Sequence, residues 1–324
     1  MKDYCYDVRF TVPARPSLLT GLVEANVNLI FSRRKCSGFL YDHFMINATG
    51  AGVRSADFLL AKLDELISEW DQIANSGDGR LIVRAKKVKR KRLAFDRAQS
   101  ALLLGYCAHV MQLSRSIRLL LSEGHIVQSI PLVRLSYECA LKQNWVYLTG
   151  EEAPQAISNQ YGRSRKTLQK TMKDSGIPYL VEASDTIAGL DQEEFETTSK
   201  EQAKNFERMV EDFDGGNDLY TYYRMLSEYC HPSVTVADLY LTRAEHDEDN
   251  GMPIFSSTPS EFPSKLVAYF AVFSACRALY AFTTTMKDHK AKNPIRRIAK
   301  ECEVTLDMKL SAEPIKRRQK AKLK

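Results

Sequence analysis

Arg224 and His231 are separated by six residues in the segment YYRMLSEYCHPS, and a proline follows the histidine directly. On a helix, positions seven apart lie on nearly the same face, and Ser227 shares that side. A guanidinium can hold a phosphate oxygen and offset developing charge, and an imidazole can transfer a proton near neutral pH. The pattern therefore suits phosphodiester cleavage. In the structural alternative, His231 interacts with the helix dipole and Arg224 pairs with Glu228.

A second charged pair, Arg134 and Glu138, is four residues apart in the segment PLVRLSYECALKQNW. Helical projection groups the pair with four large apolar residues, which are Val127, Ile130, Leu141 and Trp145. Because each ion loses its hydration inside an apolar stripe, the two should be paired internally or line a pocket. The sequence leaves open whether Arg134 and Glu138 join two helices or belong to a functional site.

The positive charge is concentrated in two runs, RAKKVKRKR at 84–92 and KRRQKAKLK at 316–324, with seven and six basic residues. Removing these thirteen leaves 33 basic against 40 acidic residues in the rest of the chain. Basic runs can bind phosphate backbones by releasing counterions, and the alternative is a solvated helix start and a frayed tail. The candidate RNA-binding residues are Lys86, Lys87, Lys89, Arg90, Lys91 and Arg92.

Cofactor chemistry is not expected from this sequence. The seven cysteines include no Cys-x-x-Cys pair, and the histidines have no partner at metal-ligand spacing, so we predict no metal and no cofactor. The cysteine pattern favours a reduced, cytoplasmic protein. The most apolar stretch, 266–286, carries Arg277 at its centre, which costs about 2.5–3.5 kcal/mol in a bilayer. We therefore predict a buried helix there and no membrane span.

Low glycine and proline contents, 15 and 11 residues, favour a mostly helical chain. Apolar residues spaced three and four apart predict the long helices. The predicted helices are 55–74, 88–123, 126–148, 154–174, 217–231 and 266–287. The predicted fold is all-α, a multi-helix bundle with an irregular N-terminal segment and a basic C-terminal tail. The predicted organisation is an N-terminal segment (1–50), a helix and basic linker (51–94), the bundle (95–290) and the tail (291–324).

The helical pattern with R-x6-H before a proline resembles the HEPN superfamily, whose ribonuclease members carry R-x(4–6)-H. The combination of R-x3-E with L-S-x3-H-P, here Leu226, Ser227, His231 and Pro232, also resembles an uncharacterised bacterial helical family. These resemblances cover residues 95–290. Met225 departs from the HEPN pattern, which has a polar residue directly after the arginine.

The HEPN resemblance implies a metal-independent endoribonuclease, acting as a toxin or a phage-defence effector. It also implies RNA as a partner, a homodimer, and an antitoxin or other protein partner. His231 would assist attack by a 2′-hydroxyl or protonate the leaving oxygen, and Arg224 would stabilise the phosphorane, with Arg134, Glu138 and Ser227 nearby. The alternative is a non-catalytic helical interaction module, in which the arginines, Glu138 and His231 form a buried polar network. In either case the two charged pairs should converge.

Overall fold

The computed structural model describes residues 54–75, 90–188, 194–243, 253–260, 262–285 and 292–323. Most of the predicted N-terminal segment and linker lies outside these residues, including Lys86, Lys87 and Lys89. Arg90, Lys91 and Arg92 lie in the first turn of a helix, but their side chains are outside the description. The structure therefore leaves the predicted RNA-binding run at 84–92 as a prediction.

The described residues form twelve helices and one pair of short antiparallel strands. The helices are α1 (Ala56–Asn75), α2 (Arg90–Ser122), α3 (Ile126–Thr149), α4 (Glu152–Asp174), α5 (Pro178–Ala188), α6 (Lys200–Lys204), α7 (Phe206–Val210), α8 (Gly216–Ser227), α9 (Val234–Asp238), α10 (Ser264–Thr285), α11 (Lys292–Glu301) and α12 (Glu313–Lys322). The strands are β1 (Leu241–Arg243) and β2 (Pro253–Phe255), with Leu241 opposite Phe255. The all-α prediction is confirmed.

The predicted long helices are confirmed within a few residues, but other regions differ from the prediction, which includes neither β1 and β2 nor the helices α9, α11 and α12. Gly124 ends α2 at φ +77°, as predicted, and the backbone N–H of His125 closes the turn by donating to the Leu120 carbonyl at 2.8 Å.

The stretch at 177–215, predicted as loop plus one short helix, contains α5, α6 and α7. Helix α8 ends at Ser227, four residues earlier than predicted.

Helix α10 is the centre of the bundle and packs against α1, α2, α3 and α11. It is apolar on all sides, as expected for a helix surrounded by other helices. Among the described residues it is the one helix long and apolar enough to cross a membrane, and 89% of its most apolar window is buried inside the bundle. The prediction of a buried helix is confirmed.

Arg277 is the buried charged residue of that helix, and only 5% of it is exposed. Its guanidinium carbon lies 4.5 Å from the centre of the Phe273 ring, one turn earlier on the same helix. Burial lowers the pKa of Arg277 to about 10, because desolvation disfavours the cation, while Tyr137 and Tyr269 oppose this change. The aromatic ring face partly replaces the hydration that the guanidinium loses.

The basic C-terminal segment, for which a frayed tail was the alternative interpretation, is attached to the bundle. Asp212 is fully buried and its carboxylate accepts two hydrogen bonds from Arg317, at 2.8 and 2.9 Å. The indole N–H of Trp145 donates to the same carboxylate at 2.9 Å. The Arg318 guanidinium donates to the Thr149 carbonyl at 3.3 Å. Arg317 and Arg318 therefore attach this segment to the bundle.

Candidate functional site

Arg134 on α3 reaches across to α8, and this contact defines the candidate site. Its Nε donates to the Ser227 hydroxyl at 3.0 Å, and Nη2 donates to the Tyr223 hydroxyl. The guanidinium carbon lies 4.7 Å from the centre of the Tyr223 ring. Ser227 Oγ in turn donates to the Tyr223 carbonyl at 2.7 Å, within the same helix. One arginine therefore fixes the last turn of α8 against α3.

Tyr223 is held from its other side by aromatic stacking. Phe206, the first residue of α7, stacks on the Tyr223 ring with centroids 4.1 Å apart, and Tyr220 stacks at 6.1 Å. The Asn205 side chain caps α7 by accepting from the backbone N–H of Glu207 at 2.8 Å. The Tyr223 ring therefore lies between a capped helix start and the Arg134 guanidinium, which limits its freedom.

Glu138 supports Arg134 from one turn further along α3. The Arg134 Nη2 and Glu138 Oε2 atoms are 3.8 Å apart, and the two side chains are 23% and 26% exposed. The four apolar residues grouped with them by helical projection are all buried. The pair therefore lies at the edge of the apolar stripe, where Arg134 meets hydroxyl and carboxylate oxygens and loses only part of its hydration.

Arg224 and His231 are both exposed. Because α8 ends at Ser227, His231 lies in the connection to α9 and not on the helix that carries Arg224. Ser233 Oγ orders this connection, since it donates to the Glu228 carbonyl at 3.2 Å and accepts from the Val236 N–H at 3.3 Å. This local arrangement follows the end of α8, which comes before Pro232.

The predicted contact between the two charged pairs is not formed, because Arg134 reaches Ser227 and not Arg224 or His231. Across the described residues, neither Arg224 nor His231 makes a side-chain hydrogen bond or an ion pair, so the Arg224–Glu228 pair of the structural alternative is not formed either. Ser227 lies one turn after Arg224 and four residues before His231. Arg134 therefore fixes the segment between two exposed groups, and Arg224 and His231 are not buried as the alternative of one four-residue network requires.

Cys230, directly before His231, is not a candidate nucleophile. Burial raises the pKa of its thiol, and the nearby Arg134 cation only partly opposes that change. The thiol also lies 3.1 Å from the Leu226 carbonyl oxygen, to which it donates. A thiol held in this way stays protonated at neutral pH, which leaves the imidazole of His231 as the group able to transfer a proton.

Tyr223 is the member of the site that the sequence analysis did not select as a site residue. It stands four residues before Ser227, so an arginine that reaches one of them also meets the other.

In the described part of the chain, no group of three histidine, cysteine, aspartate or glutamate side chains is arranged to hold a metal ion. What the site offers chemically is one fixed guanidinium, one free guanidinium, hydroxyls and an imidazole.

Residues 100–251 match the model of a family of unknown function, DUF5677, over just under half of the chain. The matched region contains α3 and α8, and with them Arg134, Glu138, Arg224, Ser227 and His231. No curated protein and no solved structure showed significant similarity to this chain. The segment that carries the candidate site is thus similar to the uncharacterised family DUF5677.

Proposed function

We propose that this protein is a HEPN-like, metal-independent endoribonuclease. One observation carries the proposal: Arg134 fixes the last turn of α8 through Ser227, while Arg224 and His231 on either side of that residue remain exposed. An exposed imidazole and guanidinium close to a rigid support are available to a substrate, which a packed structural pair is not. The R-x6-H spacing of these two residues supports the same assignment through its resemblance to HEPN ribonucleases.

The proposed reaction is cleavage by the neighbouring 2′-hydroxyl of the RNA. The 2′ oxygen forms a bond to phosphorus, and the bond from phosphorus to the 5′ oxygen of the next nucleotide breaks. His231 accepts the 2′-hydroxyl proton or donates a proton to the leaving oxygen, and Arg224 offsets charge on the non-bridging oxygens. The products are a 2′,3′-cyclic phosphate and a 5′-hydroxyl. Arg134 and Ser227 position the segment and take no proton.

A homodimer completes this proposal, because one imidazole cannot serve as base and acid in the same step. Pairing two copies around one cleft would supply a second His231, as the resemblance implies. An effector of this kind, a toxin or a phage-defence nuclease, would act in the cytoplasm and need a controlling partner such as an antitoxin. These roles rest on the resemblance and extend the chemistry proposed for the site.

Replacing Arg224 with alanine is expected to lower RNA cleavage about 10²–10³-fold, the usual effect of removing a donor that stabilises transition-state charge. Because Arg224 is exposed, the melting temperature should stay unchanged. Arg208→Ala is the matched control: Arg208 is 59% exposed and pairs with Glu211 on the surface. Initial rates on single-stranded RNA measure both variants. Equal rates for the two variants would remove Arg224 from the site.

The second candidate function is a non-catalytic helical interaction module. It is favoured by the hydrogen bonds of Arg134 to Ser227 and Tyr223, because these join α3 to α8 without needing any substrate. In this case Arg134→Met should destabilise the protein strongly, and the wild type should leave all single-stranded RNA intact. The nuclease proposal expects an active wild type, so one cleavage assay with the wild-type protein separates the two candidates.

A further inference from the structure

Helix α4 carries a run of positive charge that is spread along the helix. From Ala153 to Lys173 the sequence contains five basic residues and no acidic residue. Four of them, Arg163, Lys166, Lys170 and Lys173, are spaced by three, four and three residues, which places them on one helical face. All four are exposed, and they span roughly 15 Å along the helix axis at 1.5 Å per residue. We name these four residues the α4 stripe.

Arg163 and Lys173 of the α4 stripe each have an acidic partner among the described residues, and both contacts are on the surface. Arg163 pairs with Glu194, and the side chains are 43% and 52% exposed. Lys173 lies 3.4 Å from Asp185, with exposures of 48% and 73%. Ion pairs this exposed are weak because solvent screens them, so a phosphate can replace the carboxylates at little cost. The stripe therefore remains able to bind an external anion.

A surface groove runs beside α4, and Arg163 of the α4 stripe lines it. Arg163 and Lys204 contribute cations to its wall, Ser164, Thr167 and Thr171 contribute hydroxyls, and Leu168 contributes apolar surface. Tyr161 lies next to Leu168 around the helix, and the two side chains are 53% and 51% exposed. The guanidinium of Arg165 lies 5.3 Å from the centre of the Tyr161 ring. Cations, hydroxyls and an exposed aromatic ring thus follow one another across the surface of α4, the combination that single-stranded nucleic acids bind.

The groove is connected to the candidate site through a short part of the chain. Lys204, in the groove wall, is the last residue of α6, and Phe206 begins α7 two residues later. Phe206 stacks on Tyr223, whose hydroxyl accepts from Arg134. The groove wall and the aromatic support of Tyr223 are therefore two residues apart in the chain.

We propose that the α4 stripe and its groove bind the backbone of single-stranded RNA, the substrate of the proposed nuclease. This inference rests on the proposed function for its biological meaning, but the binding surface itself can be tested separately. Phosphates would lie along the cations, riboses against the hydroxyls, and one base on Tyr161. The charge on α4 selects a polyanion, and the exposed ring favours unpaired bases over a duplex.

The test is binding of a fluorescein-labelled 2′-O-methyl oligouridine 20-mer, which 2′-hydroxyl chemistry cannot cleave, followed by fluorescence anisotropy at several salt concentrations. Lys166→Glu/Lys170→Glu should weaken binding tenfold or more and reduce the salt slope by about 1.4, or 0.7 for each lost contact. Lys300→Glu/Lys309→Glu, at exposed positions outside α4, makes the same change in net charge and should bind like the wild type. Matching melting temperatures would show that both variants are folded.

The outcomes separate this inference from the proposed function. If the stripe variant alone loses binding while the wild type cleaves no RNA, the surface is confirmed and the nuclease is not. If the wild-type protein cleaves RNA and both double variants bind and cleave RNA alike, the nuclease proposal stands and the α4 surface is overturned. Competition by polyglutamate as effective as that by RNA would also overturn it, because the surface would then suit an acidic protein.

Discussion

Replacing His231 with alanine is expected to lower RNA cleavage about 10²–10⁴-fold, the usual contribution of a positioned proton-transfer group. The imidazole is exposed and the adjoining turn is held by Ser233 and Glu228, neither of which the substitution removes. The melting temperature should therefore match that of the wild type. His109→Ala is the matched control, because His109 is also exposed and lies on α2. Cleavage rates and thermal melts of both variants check the prediction.

The opposite pattern would place His231 in the architecture of the bundle. A melting temperature lower by several degrees with cleavage unchanged would mean that the imidazole supports the turn and does not act on RNA. Loss of cleavage in both histidine variants would point to a general loss of folding or of RNA binding. Either result would remove His231 from the proposed chemistry.

Replacing Asp212 with alanine is expected to lower the free energy of unfolding by about 3–5 kcal/mol, the cost of leaving the partner of a buried ion pair without its counter-ion. Asp212 is fully buried and accepts from both Arg317 and Trp145, so the change affects a cation and an indole N–H together. It also removes the ion pair by which Arg317 attaches α12 to the bundle, while the Arg318 contact remains. Urea unfolding followed by circular dichroism measures the effect.

Asp64→Ala supplies the comparison for the Asp212 prediction. Asp64 pairs with Arg118 at 3.1 Å, but the two side chains are 51% and 33% exposed, so its loss should cost no more than about 1 kcal/mol. Asp212→Ala/Arg317→Met should recover part of the lost stability, because it removes the unpaired cation. Equal destabilisation by the two aspartate variants would show that the buried pair contributes no more to the free energy of unfolding than the exposed pair does.

The helices that the sequence predicts best are those whose apolar residues recur at a regular spacing. In α1 the buried residues Leu59, Leu63, Leu66 and Trp70 stand three and four apart, and periodicity alone locates such a helix. In α10 a continuous apolar stretch is interrupted at its centre by Arg277. That charge indicates that the helix is buried inside the protein and does not cross a membrane. The prediction of both helices depends on the local pattern of apolar residues, which can be read from a single sequence.

The end of α8 could not be predicted in this way. Pro232 suggested that the helix continues to His231, whereas the Ser233 hydroxyl turns the chain by bonding to the Glu228 carbonyl. The sequence predicts that Arg134 or Glu138 contacts Arg224 or His231, whereas the partners of Arg134 on α8 are Ser227 and Tyr223. Such choices depend on how α3 and α8 pack, which spacing within one helix does not specify.

Contacts between distant residues were also beyond the sequence analysis. Arg317 belongs to a dense basic run that suggested a frayed tail, yet its carboxylate partner, Asp212, lies 105 positions earlier. The α4 stripe is not found in the sequence because its cations are separated by other residues and share one face only on the folded helix. A count of charges in short sequence windows detects a continuous basic run, but it does not detect cations that share one face of a helix.

The most direct test of the central claim is the chemistry of the ends that the full-length protein leaves on RNA. Single-stranded RNA labelled at its 5′ end is incubated with the protein in EDTA, and the 3′ ends of the labelled fragments are identified by mass spectrometry. The proposed action of His231 and Arg224 predicts 2′,3′-cyclic phosphate ends and undiminished cleavage in EDTA. Fragments ending in a 3′-hydroxyl, or no cleavage of any single-stranded RNA, would contradict the assignment of this protein as a metal-independent endoribonuclease.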